Sequence, residues 1–160
     1  MTIIRKATLE DVDDLVKLRM ELIREISEVD EHYMLEHNDD YLAKLTETIR
    51  EYFTAKMLEN EFLAWIAEDE GKIIASSGLV FHEKPPIHGN LTGREAYIMN
   101  MYTVPEWRSK GLATSLLKEI INYIKETNVQ RIRLHATEAG KKIYEKIGFV
   151  SVSSEMVLDF

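Results

Sequence analysis

The sequence predicts an α/β fold: a mixed, mostly antiparallel central sheet of six to seven strands flanked by four helices. The expected order is β-α-α-β-β-β-α-β-α-β(β). Three observations lead there. Apolar residues recur at helical spacing in several segments, with polar residues between them. Short runs rich in Val, Ile, Tyr and Phe alternate with those segments and are bounded by turn residues. A tight Glu70-Gly71 connection makes a hairpin, whereas a later strand–helix–strand succession makes a crossover, so one sheet holds both kinds of pairing.

In chain order, "TIIRKA" reads as a first strand. Thr8 and Asp11 then have the spacing of a capping box. Val12, Leu15, Val16, Leu22, Ile23 and Ile26 form an apolar stripe, so the first helix runs to about Ile26. Arg19 falls inside that stripe. It reads as a stem snorkelling at the stripe's edge, with a group aimed at a substrate cleft as the alternative. "SEVDEHYMLEHNDD" reads as a polar connection. Its His32 and His37 are five apart, off a shared helical face and without a third ligand, so no metal site is expected.

A second helix is expected from Asp40 to Leu58, then strands over "FLAWIAED" and "KIIASSGLVFH". Pro85, Pro86 and the nearby glycines make residues 83–94 a loop. "EAYIMNMYTV" is apolar on both faces, which places it inside the sheet. A helix from Leu112 to about Glu126 follows, with a stripe of Ala113, Leu116, Leu117, Ile120, Ile121 and Ile124. "RIRLHA" is the fifth strand. "EAGKKIYEKIG" is a short helix ending at Gly148, and "FVSVSSEMVLDF" supplies one or two last strands.

The whole chain, 160 residues, fits a single domain over 1–160. It has no cysteine, which removes disulfides, thiolate metal sites and cysteine nucleophiles, and suits a reducing cytoplasm. Its N-terminus lacks the apolar run of a secretory leader, and no segment has the length of a membrane span. A net charge of -8 argues against nucleic acid as a partner. That charge is uneven. Residues 1–60 carry a net of -7, whereas residues 108–146 carry +5. The basic region is the one suited to an anion.

It begins at "VPEWRSKGLATSLLKEI", where Arg108, Lys110 and Gly111 stand at the first turn of a helix. The first N–H groups of a helix have no partner within it and carry the positive end of its dipole. Together they hold anions, and a diphosphate suits them. Gly111 and the small Ala113 let a phosphate approach the backbone, and Arg108 and Lys110 add charge. The spacing is neither that of a P-loop nor GxGxxG, and a plain solvated cap fits the same residues.

"VPEWRSKGLA" resembles the acetyl-CoA-binding motif of the GCN5-related N-acetyltransferase superfamily, written Arg/Gln-x-x-Gly-x-Gly/Ala, through Arg108, Gly111 and Ala113. "KIYEKIGF" resembles the family's C-terminal motif, a Tyr followed by a short spacer and Gly-Phe. The element order is also similar to the family's. The resemblance implies acetyl-CoA as co-substrate and no metal. It implies pantetheine contacts at Tyr102, Thr103 and Val104, and a diphosphate held by Arg108, Ser109, Lys110, Gly111, Leu112, Ala113 and Thr114. Thr137 stands where many relatives carry an Asn that touches the cofactor.

Direct acyl transfer to a primary amine is the implied reaction, with Tyr144 in the position of the tyrosine that protonates the leaving thiolate. A core tyrosine with a satisfied hydroxyl is the structural alternative there. Glu95, Glu138 and His135 fall near the strand ends as candidate bases, and none stands out. An irregular stretch near Met101 or Tyr102 is a candidate oxyanion donor. Asn100 lies on the same strand. The acidic first third suits a cationic amine. The family often dimerises, so a homodimer is among the expectations. A module that binds acyl-CoA without turnover fits the same residues.

Overall fold

A computed structural model of the chain describes residues 1–29, 38–152, 156 and 158. Five strands lie side by side in chain order: β1 (Ile3–Lys6), β2 (Phe62–Asp69), β3 (Lys72–Glu83), β4 (Arg94–Thr103) and β5 (Arg131–Leu134). Pairing is antiparallel from β1 to β4 and parallel between β4 and β5. Four helices flank the sheet: α1 (Val12–Val29), α2 (Asp39–Leu58), α3 (Leu112–Lys125) and α4 (Glu138–Ile147).

Of the expected six to seven strands, the described residues form five. Phe149–Val152 is irregular, and residues 153–155, 157 and 159–160 lie outside the described residues. Val150 and Val152 alternate with serine as a strand would, yet they stand 79% and 76% exposed. A β-pattern without a layer to bury its apolar side gains little from pairing. Helix one also runs past Ile26, to Val29, with Ser27 Oγ donating to Arg24 O at 2.7 Å. The expected connection at His32 and His37 lies outside the described residues.

The sheet is covered on both faces. Along β2, Leu63, Trp65 and Ala67 join the layer under α3, and Phe62, Ala64 and Ile66 join the layer under α1 and α2. That is the period-two alternation of a strand buried twice. Leu116, Leu117 and Ile120 of α3 are 0% exposed, and each such side chain contributes about 1.5–3 kcal/mol. The buried stripe starts at Leu112; Ala113, expected in it, is only half-buried.

The Thr8–Asp11 pair forms as expected, on a short 3-10 turn ahead of α1. Thr8 N donates to Asp11 Oδ2 at 2.7 Å, and Arg5 grips both carboxylate oxygens at 2.8 Å. The Arg5 bonds hold the Asp11 carboxyl below its ordinary value. A depressed carboxylate stabilises the fold above its unfolded pKa, and that stability is lost as pH falls through the folded value. Asp11→Asn is thus expected to lower the urea midpoint at neutral pH. The gap to wild type should narrow below about pH 4 as the wild-type carboxyl protonates.

Two features of β4 shape the region near its C-terminal end. Ser76 pairs with Tyr102 and Gly78 with Met99, so Ser77 alone faces both Asn100 and Met101. This is a β-bulge, with Asn100 at φ +55. Second, β4 pairs with β5 only as far as Ile98↔Leu134, while β4 itself continues to Thr103. Beyond Ile98 no described strand lies along that side of β4.

Candidate active site

After β4 the chain makes a 3-10 turn at Pro105–Trp107 and enters α3 through Arg108–Gly111. Ser109 takes φ +61 and Gly111 φ +81, and α3 follows directly. Left-handed residues leading into right-handed ones turn successive N–H groups toward one side, the arrangement of an anion nest. No side chain caps α3. Its first helical bond runs from Ser115 N to Gly111 O at 3.0 Å, so the amides of Leu112, Ala113 and Thr114 lack helical acceptors. A Cβ built on Gly111 meets nothing within 4 Å. Uncapped donors facing open space fit a diphosphate.

The charged side chains expected in this cradle are engaged elsewhere. Arg108 Nε donates to Thr103 O at 2.9 Å, and Nη2 to Glu25 of α1 at 2.5 Å. Its guanidinium lies 5.4 Å from the Tyr102 ring centroid. Lys110 Nζ sits 4.2 Å from the centroid of Trp107. The donors left open at the start of α3 are thus backbone amides, with the Arg108 and Lys110 side chains turned to other partners. Tyr102 donates to the same Glu25 oxygen at 3.1 Å, and burial together with that carboxylate pushes its phenol up to about 12. The Tyr102 and Thr103 backbones border the stretch where β4 has no neighbour on the β5 side; Val104 N donates to Ile74 O at 3.0 Å.

Thr137 is the N-cap of α4, and its hydroxyl oxygen accepts from Gly140 N at 3.2 Å. Farther along α4, Tyr144 is 7% exposed within the α3-side layer, edge-on to Phe149 at 5.9 Å. Burial raises its pKa, which keeps the hydroxyl protonated.

The bulge carries a second cluster, on the α1 face. Arg19 does not snorkel. Its Nη1 turns inward and donates to Asn100 Oδ1 at 2.6 Å, and burial lowers its pKa. Tyr97 packs on the α1–α2 layer, and its hydroxyl is hydrogen-bonded to Nδ1 of His135. The His82 ring stacks on Tyr97 at 5.8 Å, with planes 5° apart.

The other candidate bases are placed differently. Glu95 is 4% exposed at the far end of β4, bonded by Lys84 and Arg133 at 3.0 Å and near Arg131 at 3.5 Å. Burial works to raise its pKa, and the bonded cations outweigh it and hold it below its ordinary value. A carboxylate held so is a structural group. Glu138 is exposed in the first turn of α4.

Sequence reasoning did not single out Glu25 or Tyr97. The one signal for Glu25 was its spacing of one turn from Glu21 on α1, and many surface helices share that spacing. Among the described residues no three His, Asp or Glu come together as metal ligands, and no helix is long and apolar enough to cross a membrane.

The family model described as Acetyltransferase (GNAT) family matches residues 24–149. The thialysine N-epsilon-acetyltransferase of Mus musculus is 24% identical over 151 residues, 92% of this chain and 83% of that protein. Among solved structures, one described as a predicted acetyltransferase with acetyl-CoA, from Clostridium acetobutylicum, superposes with a TM-score of 0.85. It is 33% identical over 99% of this chain and 96% of its own. A GCN5-related N-acetyltransferase from Ralstonia eutropha has the same fold, with a TM-score of 0.84 at 24% identity, covering 100% of this chain and 99% of its own.

Proposed function

The chain belongs to the acetyltransferase (GNAT) family, and from that premise we propose that it transfers the acetyl group of acetyl-CoA directly to a primary amine of a small molecule or peptide. The observation that carries this reading is the uncapped, glycine-led N-terminus of α3 beside the unpaired stretch of β4. The amides from Ser109 to Thr114 hold the diphosphate, with Arg108 and Lys110 lending charge. The backbone of Tyr102, Thr103 and Val104 lines the pantetheine arm, and Thr137 borders it from α4. When bound, acetyl-CoA supplies an activated acetyl group. Tyr144 then gives a proton to the departing sulfur.

The acceptor is a cationic amine on this reading. Residues 1–60 carry a net of -7, and Glu21 and Glu25 of α1 both act on Tyr102 beside the bulge. The relatives named for thialysine have such an amine in their name. Residues 1–160 form one catalytic domain in the proposal, working in the cytoplasm, with a homodimer as the assembly to look for.

The test is thiol release from acetyl-CoA across a panel of primary amines that includes thialysine and polyamines. Amine-dependent release with an acetylated product supports the reading. Tight acetyl-CoA binding with no release for any amine contradicts it and points to a module that senses acyl-CoA.

The Glu25 contact makes a further prediction. Its carboxylate partly neutralises Arg108 next to the cradle, and both side chains are more than two-fifths exposed. Glu25→Gln should tighten acetyl-CoA binding a few-fold at low salt, within the ~1 kcal/mol scale of an exposed pair. The gain should fade as added salt screens it, as read by calorimetry at two ionic strengths.

A further inference from the structure

The proposed transfer leaves its base unassigned, and the structure separates the candidates. Glu95 is locked among three cations, and Glu138 stands in solvent on the α4 end. His135 is the first residue after β5, and Tyr97 precedes Ile98, the last β4 residue paired to β5. Their hydrogen bond therefore spans the two strands where their pairing stops.

We propose that Tyr97 and His135 are the proton-accepting pair of the transfer. The Tyr97 oxygen takes the proton of the acceptor ammonium while its own proton moves to Nδ1 of His135, which returns it to solvent. This rests on the acetyltransferase reading and deepens it.

Four observations support the pair. Tyr97 packs on the α1–α2 layer and Tyr144 lies in the α3 layer, so the two tyrosines stand on opposite sides of the sheet and serve as separate proton acceptor and proton donor. The His82 ring holds the Tyr97 ring by stacking. Arg19, turned inward onto Asn100, brings a cation close enough to interact electrostatically with Tyr97. His135 is exposed and can exchange its proton with water. The charged and titratable groups around Tyr97 include His82 from β3, Arg133 as its register partner on β5, His135 after β5 and Arg19 from α1.

The balance closes without an added reactant. An ammonium and a thioester become an amide, a thiol and one free proton. The first proton leaves through Tyr97 and His135. The nitrogen lone pair forms the C–N bond, and the C–S bond breaks with its electron pair on sulfur. Tyr144 protonates that sulfur and recovers a proton as the nitrogen releases its second.

The test uses the full chain with acetyl-CoA and thialysine, or the panel amine that the wild type acetylates fastest. His135→Gln and Tyr97→Phe are expected to lower kcat about 100-fold or more at neutral pH, the scale of lost base catalysis, while acetyl-CoA affinity by calorimetry stays near wild type. The loss should shrink as pH rises toward the pKa of the amine, because the amine then arrives neutral. Tyr97→Phe keeps the ring and its stacking, and thermal melting checks that both variants fold. Activity near wild type in either variant overturns the proposal, and so does a loss of equal size at every pH, which marks a structural role. A wild type that binds no acetyl-CoA, or acetylates no amine, overturns the underlying reading and the pair with it; that failure shows before any variant is made.

Discussion

Gly111→Asp is expected to abolish acetyl-CoA binding in a protein that still folds. Two effects act together. The residue sits at φ +81, where any side chain is strained by roughly 1–2 kcal/mol. Nothing lies within 4 Å of the added Cβ, so no clash is added to that strain. The larger effect is on the ligand. The carboxylate lies among the N–H groups of the proposed diphosphate cradle, and each charge-assisted bond lost there is worth about 1.5–3 kcal/mol. Repulsion adds to it, so binding should weaken by roughly 100-fold or more. Gly111→Ala separates the two effects. It carries the strain without the charge, so its melting temperature should fall much as in the aspartate variant while most binding remains. Calorimetric titration and thermal melting of the three proteins give the answer.

Tyr144→Phe is expected to cost about 10²–10³-fold in kcat with little change in acetyl-CoA affinity, the range for loss of a positioned proton donor. The hydroxyl has no hydrogen-bond partner among the described residues, so its removal leaves no orphaned group behind. The ring keeps its contacts with Phe149 and with Gly140, where a Cβ would stand 3.1 Å from Tyr144 Cε2. Stability should therefore hold while turnover falls. Burial raises the Tyr144 pKa above its ordinary value near 10, so the wild type should keep its donor through the alkaline range where an exposed tyrosine ionises. Pre-steady-state thiol release against pH reads this directly. An unchanged rate would return Tyr144 to the role of a core aromatic.

Much of this molecule is legible in its residues, for reasons that differ by element. Strand β2 coincides with "FLAWIAED" because a buried apolar run between turn residues has few alternatives. Helix α4 ends at Gly148 as expected, since φ +110 there favours glycine. The proposed anion cradle was legible because it rests on local backbone: a glycine before a helix whose first turn no side chain caps. No strand forms at Phe149–Val152, because alternation alone does not supply a covering layer at Val150 and Val152. The cleft-facing alternative for Arg19 was legible, but its partner was not, because the α1-face contacts are assembled across the fold. Arg19 meets Asn100 from 81 positions away, and Glu25 meets Arg108 from 83. No spacing rule reaches that far, and a bulge at Asn100 leaves no mark in the apolar pattern. The same distance hid the engagement of Arg108, whose charge was expected on the ligand and is shared with α1.

The most direct measurement is an amide-resolved nuclear magnetic resonance titration of the chain with acetyl-CoA. The account predicts that the largest shifts fall on the amides from Ser109 to Thr114 and along Tyr102–Val104. Smaller shifts should follow at Thr137 and Tyr144, with β1 and α2 quiet. Saturable shifts centred elsewhere, or none at all, would contradict the cradle at the N-terminus of α3.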